Sequence, residues 1–306
     1  MVYIDRILFP TDGSECAEWA RRHAMYLADH FDAVLRVVQV DERDVDPTDV
    51  IDVREADVLA DLHDTEAMSS VLAEARVRER TVSYASAAGG ILTYAVEHDS
   101  DLIVLGTHGN RGVRRLILGS VAEEVVRKAP CPVVTVGRGA LAPDAMEGGE
   151  MLVPIDFSEH RSRLLAHARE IAPIYDMAVT LLHVVEVHGQ PDAYGTYESA
   201  PDPGVLGDRA EQVLDGEAEA LREKGLDVSI EAAGGHPAEQ VLTVAEDREV
   251  AFVMIATHGR TGMDRMLMGS VAEKVIRRAP CPIYTVKSFG TSLVDDENEL
   301  KGDPSG

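Results

Sequence analysis

The sequence predicts an α/β protein of two tandem, doubly wound units, each an open parallel five-stranded sheet with helices on both faces. Three observations carry this. Gly106 to Val136 and Ala256 to Val286 share 18 of 31 aligned positions at a constant shift of 150. A second match, at a shift of 144, joins Phe9-Pro10-Thr11-Asp12-Gly13-Ser14 to Val153-Pro154-Ile155-Asp156-Phe157-Ser158 and runs without a gap to Val40 and Val184. Finally, short, wholly apolar runs alternate with stretches of helical spacing, the pattern of parallel strands buried on both faces and joined by right-handed crossovers. The difference between the shifts places six extra residues of the second copy in the loop after its second strand. The expected organisation is a first unit over 1–138, a linker over 139–149, a second unit over 150–288 and a flexible acidic tail over 289–306.

Within the first unit, Ile4 to Pro10 reads as a strand. Glu15 to Phe31 follows as a helix, with Ala17, Ala20, Ala24, Leu27 and Ala28 on one face. Val34 to Val40 is the second strand, and a long, mostly helical stretch is expected up to about Arg80. A third strand near Thr81 to Ala85, a helix near Ile91 to His98 and a strand from Asp101 to Leu105 come next. Val121 to Ala129 forms the last helix, Pro130 ends it, and Val133 to Val136 is the fifth strand. The second copy repeats the order. Gly, Ala and Pro without apolar periodicity mark the segment between the copies as a linker.

The 306 residues carry 29 Lys and Arg against 54 Asp and Glu, a formal charge of −25 spread along the chain. That surface disfavours nonspecific nucleic-acid binding, which needs cations to displace counterions from phosphates. Five Lys against 24 Arg, beside the acid excess, fits a protein kept soluble in concentrated salt. Cys16, Cys131 and Cys281 lie far apart without a C-x-x-C pair, so reduced, mostly buried thiols are expected and a zinc site is not. No apolar stretch approaches the roughly 18 residues that would span a bilayer, and the start does not read as a signal peptide. The expected location is the cytoplasm, with no membrane partner.

In a doubly wound sheet, ligands bind beyond the carboxyl ends of the strands where the strand order reverses. There the first copy offers Pro10-Thr11-Asp12-Gly13, Val40-Asp41 and Gly106-Thr107-His108-Gly109. The second offers Pro154-Ile155-Asp156, Val184 and Ala256-Thr257-His258-Gly259. Gly106 and Gly109 permit a tight turn and close approach of a ligand to the backbone. Gly119-Ser120 then opens a helix whose unpaired N–H groups form an anion seat, and Arg111, Arg114 and Arg115 in the intervening loop are placed to fold over phosphates. The competing reading makes Ser120 with Glu123, and Ser270 with Glu273, simple capping boxes. Asp12 and Asp156 either cap the first helix of each unit or accept from a ribose hydroxyl.

Gly-x-x-Gly, nine residues, then Gly-Ser, preceded by Pro-Thr-Asp after the first strand, resembles the universal stress protein family in its ATP-binding, tandem two-domain form. The resemblance covers nearly all of residues 1–287 and implies a Rossmann-like, adenine nucleotide alpha hydrolase-like fold. It further implies ATP, or AMP or ADP, with Mg2+ as an accompanying ion, and Pro10, Thr11, Asp12 and Val40 around adenine and ribose. Leu105, Gly106, His108, Gly109, Gly119, Ser120 and Val121 then lie along the phosphates. The matching positions of the second copy are Pro154, Ile155, Asp156, Val184, Ile255, Ala256, His258, Gly259, Arg260, Gly269, Ser270 and Val271. That copy departs in Ala256, where the methyl either crowds a ligand or is tolerated, and in Ile155, which lacks the Thr11 hydroxyl. In the family the fifth strands of two domains pair, which implies an internal pseudo-dimer here and also a homodimer.

A Walker loop and a dinucleotide fingerprint are missing, which disfavours P-loop hydrolysis and NAD. His108 and His258 have no nucleophile or paired carboxylate beside them in sequence and read as hydrogen-bonding loop residues. Eleven acids between Asp41 and Glu66 lack the spacing of a calcium loop. The leading reading is a stress protein whose nucleotide-bound state is its output to an unknown protein partner. The alternatives are a slow ATPase or nucleotidyl transferase, and a nucleotide-free interaction module.

Overall fold

The computed structural model describes residues 3–42, 51–54, 77–109, 118–158, 161–186, 203–257 and 268–287. The first unit runs β1 (Arg6–Pro10), α1 (Glu15–Phe31), β2 (Val34–Glu42), β3 (Ile51–Arg54), β4 (Val77–Tyr84), α2 (Ala87–Glu97), β5 (Leu102–Gly106), α3 (Ser120–Lys128) and β6 (Val133–Val136). The second runs β7 (Glu150–Pro154), α4 (Arg161–Ile171), β8 (Ala178–Val185), α5 (Pro203–Arg222), β9 (Val228–Gly234), α6 (Pro237–Asp247), β10 (Phe252–Ala256), α7 (Ser270–Arg278) and β11 (Ile283–Val286). Among the described residues these strands form a single sheet of order β3-β4-β2-β1-β5-β6-β11-β10-β7-β8-β9. Within each unit β1, β2, β4, β5 and β6, and their counterparts, pair in parallel.

Helix α1 forms where its alanine stripe predicts. Ser14 caps it, its hydroxyl accepting from the Ala17 N–H at 3.3 Å, and Asp32 ends it at φ 56°. The stripe packs Ala17, Ala20, Ala24 and Leu27 against Ile7, Phe9, Leu35 and Val104 on one sheet face. The opposite face packs α2, α3, α6 and α7 through residues such as Ile91, Val125, Val241 and Val275. Each apolar cluster runs through both units, so the chain has two continuous cores, one per face. Every fully buried Leu, Ile or Val there contributes about 2 kcal/mol relative to an exposed side chain.

The helical stretch expected up to about Arg80 is corrected in two places. Ile51–Arg54 is a strand, antiparallel to β4, and β4 itself begins at Val77. Its opening residues, Val77-Arg78-Glu79-Arg80, alternate charges without apolar periodicity and pair with β2, while the edge strand β3 pairs with β4 only at Thr81 and Ser83. The segment expected to be a linker is also more than a spacer. It contains a 3-10 turn, Pro143–Met146, and buries Ala140 and Met146 in the core beside α1 and α4. The tail from 288 onward and most of the acidic stretch between Asp41 and Glu66 lie outside the described residues.

The fifth strands of the two units, β6 and β11, pair antiparallel, with Val134 opposite Tyr284, and the Thr285 hydroxyl donates to the Val133 carbonyl at 3.0 Å. Arg277 on α7 reaches Glu123 on α3 at 2.8 Å. Lys287, buried just past β11, donates to the Val126 carbonyl of α3, and burial pulls its ammonium down to about 8. An antiparallel seam between two parallel units sends the carboxyl ends of their strands to opposite edges of the sheet. Any ligand site at those ends is therefore duplicated, one per edge.

Candidate functional site

At the carboxyl ends of β1, β2 and β5 lies a cleft of about 780 Å³. It stands where the order reverses, since β1 has β2 on one side and β5 on the other. The structure brings Pro10, Thr11, Asp12, Val40, Leu105, Gly106, His108, Gly109, Gly119, Ser120 and Val121 together around it. Arg111, with Arg114 and Arg115, lies outside the described residues. The lining also includes Asp41 and Thr107, which the strand ends offered, and Glu42, Ala87, Ile91 and Leu118, which sequence reading missed. A signal for Ala87 was present: Ser86 is a legible cap, and α2 starts directly after it, four residues earlier than the periodicity suggested.

The capping-box reading of Ser120 does not hold. The cap of α3 is Gly119, at φ −63° and ψ 147°, and no side chain caps the helix; Ser120 is its first residue. Gly119 donates its own N–H to the Thr107 carbonyl at 2.8 Å, tying the helix start to the end of β5. A Cβ on Gly119 would lie 3.0 Å from that carbonyl, so the close approach explains the glycine. The first turn of α3 thus presents backbone N–H groups and the positive end of the helix dipole to the cleft, the arrangement that holds anions.

Asp12 does not cap α1; its Oδ1 accepts from the Ser14 N–H at 3.0 Å and closes the turn, while the cap is Ser14. Asp156 does the same for Ser158 at 3.0 Å. Gly109 faces Asp12 directly: a Cβ there would collide with Asp12 Oδ2. Gly106 has a different reason from the one the sequence suggested. A Cβ on Gly106 would lie 2.7 Å from the Cys16 carbonyl carbon, so the glycine admits the start of α1 rather than a ligand. Cys16 packs beneath it, and burial pushes its thiol up, which makes it a filler and not a nucleophile. The Thr107 hydroxyl is bonded to His108 Nδ1 at 2.9 Å, and His108 Nε2 is buried without a hydrogen-bond partner. Among the described residues no group of three or more His, Cys, Asp or Glu is arranged to hold a metal ion.

The second cleft, about 800 Å³, lies at the ends of β7, β8 and β10. Pro154, Ile155, Asp156, Val184, Ile255, Ala256, Gly269, Ser270 and Val271 all line it, while His258, Gly259 and Arg260 lie outside the described residues. Helix α7 starts as α3 does, with Gly269 as a cap and no side-chain cap bond. Ala256 packs against the core on the α4 side, so its methyl is tolerated by the fold. Ile155 is 4% exposed and belongs to that same core. Sequence reading missed Phe157, His183, Arg209 and Pro237 here. Phe157 at φ 58° occupies the left-handed position that Gly13 holds at φ 69° in the first unit.

The universal stress protein family model matches residues 4–137 and again 149–287. Universal stress protein MJ0531 of Methanocaldococcus jannaschii is 32% identical over 45% of this chain and 81% of its own length. A universal stress protein structure from Archaeoglobus fulgidus superposes with a TM-score of 0.59 at 21% identity, covering 92% of this chain and 98% of that one. A functionally unknown protein from Pseudomonas aeruginosa, PA1789, superposes with a TM-score of 0.67 at 19% identity over 93% and 92% of the two chains, which bears on the fold alone. Two matches to the family, one on each side of the antiparallel seam, together span the sheet and both clefts. The chain therefore belongs to the universal stress protein family, as a tandem of two of its domains.

Proposed function

We propose that the protein binds an adenine nucleotide, ATP in the first instance, in the first cleft, and that the bound state rather than turnover is its output. One observation carries the reading: the start of α3 faces the cleft with its N–H groups uncapped by any side chain, tied to the end of β5 by Gly119. Ser120 and Val121 would hold the phosphates through their backbone N–H groups, with His108 Nε2 as a further polar contact. Val40, Leu105 and Ile91 offer an apolar wall for the base, and Asp12 a carboxylate for the ribose. Arg111, Arg114 and Arg115 are assigned to the phosphates, and their engagement by a bound nucleotide would alter the surface shown to a partner protein.

A divalent ion in this reading arrives with the phosphates. Glu42, an acid of the cleft lining, already accepts from the Ala87 N–H at 3.0 Å, and no acid cluster of the described residues forms a resident metal site. A cytoplasmic location and association of two chains belong to the same proposal. The fifth strands are used in the internal seam, so two chains would meet through another surface.

The test is nucleotide-dependent thermal stabilisation of the full chain with magnesium and ATP. At a hundredfold excess over Kd it contributes about 2.7 kcal/mol. Gly109→Val pushes against Asp12 and is expected to abolish the share of that gain due to the first cleft while the unliganded chain still melts cooperatively. Unchanged stabilisation would exclude the first cleft as the nucleotide site.

A further inference from the structure

The two ends of the second cleft differ in chemistry. Beside β10 lies the uncapped start of α7. At the other end, Phe157 in the turn after β7 stacks on His183 of β8, their ring centroids 4.1 Å apart and the rings inclined by 24°. His183 is 8% exposed and fixed by its Nδ1–H, which donates to the Ile155 carbonyl at 2.7 Å. Phe157 holds a backbone conformation that bulky residues avoid, φ 58°, and stays half-buried in the cleft wall. The positions that match these two in the first unit are Gly13, whose absent Cβ would meet only open space, and Gln39, which is exposed. No Phe, Tyr or Trp is among the described residues lining the first cleft. An anion seat at one end and a rigid aromatic wall at the other match a ligand with a phosphate at one end and a flat ring at the other.

We infer that Phe157, backed by His183, is the base-stacking residue of the second cleft, and that this cleft takes purine nucleotides as a class where the first reads adenine. The inference rests on the nucleotide reading above. Stacking engages the face of a ring, which every purine offers, and it does not interrogate the edge by which one base differs from another. The first cleft lacks such a platform and is left with polar groups and aliphatic walls, which respond to edge and shape. Specificity within one chain is thus divided between two clefts of nearly equal volume.

The experiment is calorimetric titration of the full chain with AMP, GMP and ribose 5-phosphate, for the wild type, Phe157→Gly and Phe157→Tyr. Glycine suits the left-handed position better than phenylalanine, so the first variant keeps the turn. Wild type is expected to show two classes of site for AMP and one for GMP. Phe157→Gly should weaken GMP, and one of the two AMP classes, about tenfold, the lower range of base stacking. It should leave ribose 5-phosphate and the other AMP class unchanged, and Phe157→Tyr should retain wild-type affinities. Identical AMP and GMP isotherms for wild type and Phe157→Gly would overturn the inference, as would an equal loss for ribose 5-phosphate. Absence of uptake of AMP and GMP by the wild type would overturn the nucleotide reading itself along with it, so the two failures are told apart.

Discussion

The first cleft and the second arise from one repeated unit and enclose nearly the same space, about 780 and 800 Å³, yet their walls have diverged around a common helix start. In both, a glycine caps the helix after the fourth parallel strand without side-chain help, and its N–H bonds a threonine carbonyl at 2.8 Å, Thr107 in one and Thr257 in the other. What differs is the strand-end glycine, Gly106 against Ala256, and the turn after the first strand, Gly13 against Phe157. The comparison teaches that the glycines of the motif have separate jobs. Gly119 and Gly269 tie the helix starts to the strand ends, whereas Gly106 answers to helix packing.

That distinction can be broken most sharply at the strand ends. Gly106→Ala drives a methyl to 2.7 Å from the Cys16 backbone, an overpacking with no flexible side chain to yield, and about 3 kcal/mol of stability is expected to be lost in urea unfolding. A loss under 0.5 kcal/mol would mean that α1 moves aside freely. The mirror substitution, Ala256→Gly, removes a methyl from the α4-side core and should cost about 1 kcal/mol at most.

A comparable effect separates the units by pH. His23 on α1 and His167 on α4 occupy matching positions, both fully buried, and burial lowers them to about 4 and about 3. Each is held neutral in the folded chain and protonates near 6.5 when unfolded, so the unfolded state takes up protons first. Stability is complete above about pH 6.5 and falls as the pH drops towards 4, by about 3 kcal/mol for His23. His23 bonds the Leu141 carbonyl of the connecting segment at 3.0 Å, whereas His167 bonds the Tyr284 hydroxyl at the seam at 3.2 Å. His23→Gln should flatten the part of the acid loss that begins at the connecting segment, read by urea unfolding at pH 7 and pH 4.5. An acid loss as steep as that of the wild type would place the proton uptake elsewhere.

Most of the fold was legible because its signals are local. Helix α1 follows from its alanine stripe and Ser14, and the duplication appears as identities at fixed shifts. The edge strand β3 and the opening of β4 were not legible, because they gain their places from pairing with β4 and β2 and not from their own periodicity. The cleft residues after β1, β2 and β5 were found by the switch-point rule, which needs only strand order. The reason for Gly106, the buried role of the connecting segment and the Phe157–His183 stack escaped because each depends on contacts between residues distant in sequence. Gly13 aligned with Phe157 at the 144 shift was the one visible hint of the last.

The central claim is that the uncapped start of α3 is the anion seat of the first cleft. It is tested most directly by a crystal structure of the chain with a non-hydrolysable ATP analogue. The account predicts phosphate oxygens within hydrogen-bond distance of the Ser120 and Val121 N–H groups. A bound analogue whose phosphates lie away from that helix start would contradict it.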